Sequence, residues 1–190
     1  VHRIAADSDP DKAGRFSKLF LRVGRAQYLI LMLIASGFVV FGRYFITNIY
    51  ATESYAQAYP VALLLILPAL VPLIQNLGIE IQRAMNQHRF RSVIYSIMAL
   101  LNVLVSIPLA RRFGPPGAAL GTTISLVVGN GLIMNVFYAS RLQLDIVGFW
   151  KSIALLSRGM LAPAILGVWI LKCWYFRNIW QFLAGIALYT

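Results

Sequence analysis

The chain has 190 residues, 59% of them hydrophobic and 12% charged, with a formal net charge of +11 and a mean hydropathy of +0.73. Soluble domains carry roughly 45–50% apolar and about 25% charged residues, so this composition excludes an ordinary soluble domain and points to an all-α, polytopic transmembrane bundle. The 17 Lys and Arg, against 6 Asp and Glu, stand at the ends of apolar runs, which argues for membrane topology rather than nucleic acid as the partner.

The first residues are polar and lack the basic start and apolar centre of a signal peptide. The chain stops inside an apolar run, and it is expected to be a piece of a longer protein. The stretch ADSDPDK reads as a loop. After it, Arg15, Lys18, Arg22 and Arg25 fall on one side of a helix, and Phe16, Leu19, Phe20 and Val23 on the other. Residues 1–26 are therefore expected to form a cytoplasmic linker whose basic amphipathic helix lies on anionic headgroups of membrane lipids.

A crossing needs about 20 apolar residues, and the apolar runs place spans at about 27–49, 59–83, 92–110, 116–138 and 152–172, with a truncated sixth at 178–190. The bundle is thus expected to occupy residues 27–190 with about six spans. Pro60 sits where the second helix can begin. Pro68 and Pro72 should bend that helix, because each removes a backbone donor and crowds the preceding turn. Arg and Lys collect at the N-terminal end, at Arg83–Arg91 and at Arg141–Lys151, whereas the opposite loops hold Arg111, Arg112, Lys172 and Arg177. The excess puts the N-terminal segment in the cytoplasm.

Ionisable groups inside a bilayer are costly and usually face a cavity or a partner. Arg43 lies two-thirds of the way through the first span. It is either an arginine snorkelling to the outer interface or a cationic contact for an acidic group such as a phosphate. Asn76, Glu80 and Arg83 share one helical face, continued by Gln87. That face is either a local Glu80–Arg83 pair at a helix end or a site where Glu80 titrates or binds a coupling cation, H⁺ or Na⁺. In ARRFGPPGAALGTTISLVVGNG the turn is made by Gly114, Pro115 and Pro116, and Gly117, Gly121, Ser125 and Gly129 then recur every four residues. Such a face lets another helix approach closely. Asn102, Asn130 and Asn135 are candidates for bridging helices or lining a cavity. His2 and His88 lie in loops, Cys173 has no second thiol to pair with, and no metal-ligand spacing, cofactor motif or catalytic constellation is evident. The chain is not expected to be an enzyme.

The segments ATESYAQAYPVALLLILP, EIQRAMNQHRFRSVIYSIMALLNVLVSIPLARRFGPPGAALGTTIS and NGLIMNVFYASRLQLDIVGFWKSI, with the basic segment that enters the first span, carry a family resemblance over about 20–172. The chain resembles the C-terminal half of bacterial oligosaccharide (O-antigen and polysaccharide) flippases, a branch of the multidrug/oligosaccharidyl-lipid/polysaccharide exporter superfamily. The resemblance implies a multi-pass transporter of the bacterial cytoplasmic membrane, made of two helical bundles around a central cavity, of which this chain is the second. Its partners would be the N-terminal half of the same transporter and its cargo, an undecaprenyl-diphosphate-linked oligosaccharide flipped outward for surface polysaccharide assembly. Cationic and acidic cavity residues would hold the diphosphate and couple ion movement, an idea carried here only to Arg43, Glu80 and Arg83, with Asn76 on the same face. Three alternatives stand beside it: a cation-coupled drug or metabolite antiporter on the same fold, a membrane glycan polymerase, and a non-transporting scaffold. Glu80 is the single acid within the expected spans, which favours anionic cargo over cationic drugs. The short outward loops disfavour a polymerase.

Overall fold

The computed structural model describes residues 11–50 and 53–173 together with Val1, Ile4, Ala184 and Gly185, and for 160–173 it describes the backbone alone. The loop expected before Lys12 and the sixth span expected at 178–190 lie largely outside the described residues. The described secondary structure is helical throughout. Helix α1 spans Lys12–Tyr44 and continues as a π-helical segment, Phe45–Tyr50. After a short 3-10 turn, Glu53–Tyr55, come α2, Ala58–Ile74, and α3, Asn76–Ala84. Helix α4 spans His88–Phe113 and α5 spans Pro115–Leu126. A second π segment, Val127–Ile133, joins α5 to α6, Met134–Ser140, and α7 covers Ile146–Cys173.

Three helical stretches are long and apolar enough to cross a membrane, Lys12–Tyr50, His88–Phe113 and Pro115–Ser140, and α2 with α3 makes a fourth if the bent pair counts as one span. The expected third and fourth spans, 92–110 and 116–138, are thus found inside longer helices. The expected fifth, 152–172, lies within α7, whose side chains past Gly159 are outside the described residues.

The expected border at residues 26 and 27 is not a structural one. No proline occurs between Pro10 and Pro60, and α1 runs through the border without a break. At 1.5 Å per residue, Lys12–Tyr50 is about 58 Å long, well over the roughly 30 Å of a hydrocarbon core. Its basic first turns are therefore a continuation of the same helix, not a separate one. Their apolar face does not lie on headgroups either. Phe16 and Phe20 are each only 1% exposed, and the Phe20 ring sits 4.7 Å from that of Phe149 and 6.2 Å from that of Tyr138. The amphipathic pattern was legible, but another helix covers its apolar side in place of lipid.

Helix α1 packs on α7 and on α2, α2 packs on α5, and α5 packs on α4. Small residues set the closest of these approaches. A Cβ on Gly117 would strike the Leu109 carbonyl, one on Gly121 would strike Ser106, and one on Gly129 would lie 3.2 Å from Met98. The four-residue glycine spacing is therefore the α4-facing side of α5, as its pattern implies. Gly114 makes the turn between them with φ +66°, a conformation that favours glycine, and Pro115 starts α5 where its missing donor is harmless.

The bend expected from Pro68 and Pro72 is present, a 42° change of direction between α2 and α3. It falls at Gln75 and not at either proline. Pro68 deprives the Leu64 carbonyl of its helical donor, and Thr123 Oγ1 of α5 donates to that carbonyl at 2.5 Å. The tertiary neighbour thus repairs the ladder at Pro68, and α2 continues to Ile74. At Gln75 the backbone turns to φ −102°, ψ 14°, and its carbonyl accepts from the Gly78 amide at 2.8 Å.

Candidate functional site

Four residues were singled out as cavity candidates, and the fold divides them between two ends of the bundle. Tyr59, at the start of α2, donates to the Val39 carbonyl of α1 at 2.6 Å. Ile74, at the other end of α2, lies against Gly24. Helices α1 and α2 are therefore antiparallel neighbours, and Arg43 belongs with the Tyr59 end whereas Asn76, Glu80 and Arg83 follow the Ile74 end. Nineteen residues of α1 separate Gly24 from Arg43, about 28 Å of helix. Arg43 does not join the other three in one site. Its side chain is exposed, and its backbone carbonyl accepts from Thr47 Oγ1 at 3.0 Å.

The α3 face is formed as its spacing implies. Arg83 Nη1 donates to Glu80 Oε1 at 2.9 Å, with the two side chains 64% and 43% exposed. Asn76 is exposed on the same outward side. Gln75, Gly78, Ile81 and Gln82 point the other way and are buried. The polar residues of α3 thus divide into an open set and a buried set.

The buried set is not among the cavity candidates that the sequence offers. Gln75 is 2% exposed and Gln82 0%, and their spacing of seven places them on one helical face, a signal present in the sequence beside the more conspicuous charged face. Gln75 Nε2 donates to Asn135 Oδ1 at 2.7 Å, and Trp150 Nε1 of α7 donates to the same oxygen at 3.2 Å. Asn135 Nδ2 in turn donates to the Asn130 carbonyl at 3.1 Å and the Gly131 carbonyl at 2.7 Å. Those carbonyls belong to the π segment, where the widened register changes which backbone groups pair. One amide side chain therefore completes the π segment and ties it to the α2–α3 bend and to α7. Gln82 Nε2 reaches the Gln87 carbonyl at 3.1 Å, closing the turn before α4.

A second chain of polar groups leads from the π segment to α4. Tyr95 donates to Asn130 Oδ1 in a short hydrogen bond, and Arg91 Nη2 donates to the Tyr95 hydroxyl in another. The Arg91 guanidinium also lies 4.5 Å from the centroid of the Tyr95 ring, a cation–π geometry. Arg91 Nη1 donates to the Tyr138 hydroxyl at 3.1 Å. Counted by sequence, Arg91 was one of several loop cations; the helix begins at His88, so it stands inside the first turns of α4. Beside this chain a cavity of about 160 Å³ opens between α4 and α5, lined by Tyr95, Asn102, Thr122, Ser125 and Asn130 among others. Asn102 Oδ1 there accepts from Ser106 Oγ at 2.8 Å and from Thr122 Oγ1 at 3.4 Å. The three asparagines are thus placed by structure: Asn135 bridges helices, and Asn102 and Asn130 both bridge helices and line the cavity.

On the other side of α5, facing α2, the groove is apolar, lined by Leu63, Leu64, Leu67, Pro68 and Val127 with Thr123. No protein-family model, curated protein or solved structure matches the chain.

Proposed function

We propose that this chain is one bundle of a membrane transporter that flips a diphosphate-linked lipid oligosaccharide across the bacterial cytoplasmic membrane, with its basic end in the cytoplasm. The observation that carries the reading is the open polar face of α3. In a helix that continues a membrane-crossing one across a 42° break, Asn76, Glu80 and Arg83 turn away from the chain's own core. Lipid is a poor environment for such a face; a water-filled cavity shared with a second bundle is a good one. Broken helices at a cavity are a recurrent feature of transporters.

The polarity of the face favours anionic cargo. Glu80, the single acid in the expected spans, is already paired with Arg83, which leaves it poorly suited to attract cationic drugs. Flipping needs a wet, cationic path for the headgroup while the tail stays in lipid, and no bond is made or broken. An ion gradient would drive the cycle through unequal binding to its two end states.

The test is flipping of an undecaprenyl-diphosphate oligosaccharide by the chain joined to its N-terminal bundle in proteoliposomes, read by lectin accessibility. The parent should move the lipid under a proton or sodium gradient, and Arg83→Ala should lower the rate at least tenfold without loss of fold. Rates equal to those of empty liposomes under both gradients would favour the antiporter or scaffold readings.

A further inference from the structure

The outward side of α6 carries a pattern that the chain's own packing leaves unused. Leu132, Val136 and Ser140 recur every four residues, and Ile133, Phe137 and Arg141 do the same one position on, so the two sets form adjacent rows along the helix. The opposite side, with Met134, Asn135 and Tyr138, is buried. Phe90 of α4 stacks on Phe137 with ring centroids 4.3 Å apart, and it makes the second wall of a groove of about 350 Å³ bounded by both rows. Leu132 and Val136 are 60% and 67% exposed, so the groove faces away from the core. From Leu132 to Ser140 it follows about 12 Å of helix, against the roughly 15 Å that one leaflet contributes to a hydrocarbon core of about 30 Å.

The groove changes character along its length. One end is aliphatic, made of Leu132, Ile133 and Val136, and the other is Ser140 and Arg141. Arg141 is exposed and, among the described residues, takes part in no ion pair. Asp145, the nearest acid along the chain, accepts from the Gly148 amide at 2.8 Å and caps α7. The Ser140 hydroxyl is engaged on the Val136 carbonyl at 2.7 Å, which leaves the guanidinium as the source of donors, five in a planar fork. The first turn of α4 lies alongside through Phe90; it holds no acidic residue and presents Arg89 to the outside. Its dipole is positive there and favours anions, offsetting the opposite dipole at the end of α6. The α2–α5 groove has no such asymmetry, since no charged residue lines it. An apolar trough that ends at an unpaired guanidinium matches an amphiphile lying along the helix, with its anionic head at the basic end of the bundle. Basic pockets between membrane helices bind lipid headgroups on this principle.

We propose that the α4–α6 groove is a binding site for an anionic glycerophospholipid of the leaflet at the basic end, with one acyl chain along Phe90, Leu132 and Val136 and the phosphate on Arg141. The occupant is a resident lipid of the bilayer and not a transported cargo. The site shares no residue with the α3 face and does not include Arg43. It rests on the reading above only in that the chain lies in a membrane, and it requires nothing of transport.

The test is photolabelling of the full 190-residue chain in phosphatidylcholine nanodiscs. The probes are trace phosphatidylglycerol and trace phosphatidylcholine, each with a diazirine midway along one acyl chain, and labelled peptides are mapped by mass spectrometry. The phosphatidylglycerol probe should mark Phe90 and residues 132–141 at least tenfold above the phosphatidylcholine probe, and unlabelled phosphatidylglycerol should compete it away. Arg141→Gln should bring the two probes within about twofold of each other, and Arg141→Lys should keep most of the preference. Val136→Trp, which fills the trough from an exposed position, should abolish the excess labelling with helicity unchanged. Equal labelling by both probes in the parent overturns the site, as does a preference undiminished in Arg141→Gln or Val136→Trp. Stronger competition by farnesyl-diphosphate-linked N-acetylglucosamine than by phosphatidylglycerol would assign the groove to cargo and overturn the phospholipid as its occupant. Loss of labelling when the chain is joined to its N-terminal bundle would mean that protein covers the groove, and would overturn it equally. Failure of the chain to enter nanodiscs overturns the membrane reading itself, whereas entry with unselective labelling overturns the site alone.

Discussion

The two regions of this bundle that pack most closely do so by opposite means. At the basic end, α1, α3, α6 and the start of α7 bury large side chains: Phe16, Phe20, Ile81, Met134, Tyr138 and Phe149 are all at most 2% exposed. In the α4–α5 hairpin no residue of α4 is buried, and the contact is made by glycines against backbone and by hydroxyls against amides. The first kind removes large apolar area from contact with water and is driven by the hydrophobic effect. The second kind is what remains when the surroundings are as apolar as the side chains, so that close fit and hydrogen bonds take over from the hydrophobic effect. The hairpin keeps a cavity along its seam in which Tyr95, Asn102, Thr122, Ser125 and Asn130 stand among apolar side chains.

The comparison can be broken most forcefully at Phe20. Truncation to Ala removes a ring that contacts two others and should lower unfolding free energy by about 3–5 kcal/mol, measured by denaturant titration in detergent micelles. A loss under 1 kcal/mol would mean that the aromatic end does not carry the fold. Gly121→Leu tests the hairpin. The added side chain meets Ser106, and overpacking of that kind should cost about 1–3 kcal/mol, with a further sign in easier proteolysis at the Gly114 turn. An unchanged melting curve would show that the two helices can separate freely. The smallest effect is expected at the open α3 face, where Glu80→Gln removes an exposed pair and should shift stability by no more than about 0.5 kcal/mol. A larger loss would place Glu80 in the packing of the bundle and remove the reason for assigning it to a cavity.

Much of the architecture is written in local patterns. Apolar runs located the helices, Gly114-Pro115-Pro116 located the turn, and the four-residue glycine spacing identified the packing face of α5. The Glu80–Arg83 pair also follows from spacing alone, because residues three apart are neighbours on any helix. The site as a whole was less legible. Arg43 and Arg83 look comparable along the chain, but the antiparallel pairing of α1 and α2 puts them at opposite ends. Gln75 and Gln82 carry no charge and are a weaker signal along the chain than the charged face beside them, although they are the residues that the fold buries. Arg91 reads as a loop cation because the uncharged run begins at Ser92, whereas the helix itself begins at His88.

The sequence by itself determined the elements and their periodicities, since hydropathy, proline and glycine act over a few residues and need no distant partner. Tertiary structure alone decided three things: that the amphipathic start of α1 meets Phe149 and Tyr138 and not headgroups, that Thr123 repairs the ladder at Pro68 and the bend falls at Gln75, and that Asn135 joins the π segment to two other helices. Each depends on which surface arrives opposite a given side chain. A helix face specifies what it can accept, and only the packed fold specifies what it receives.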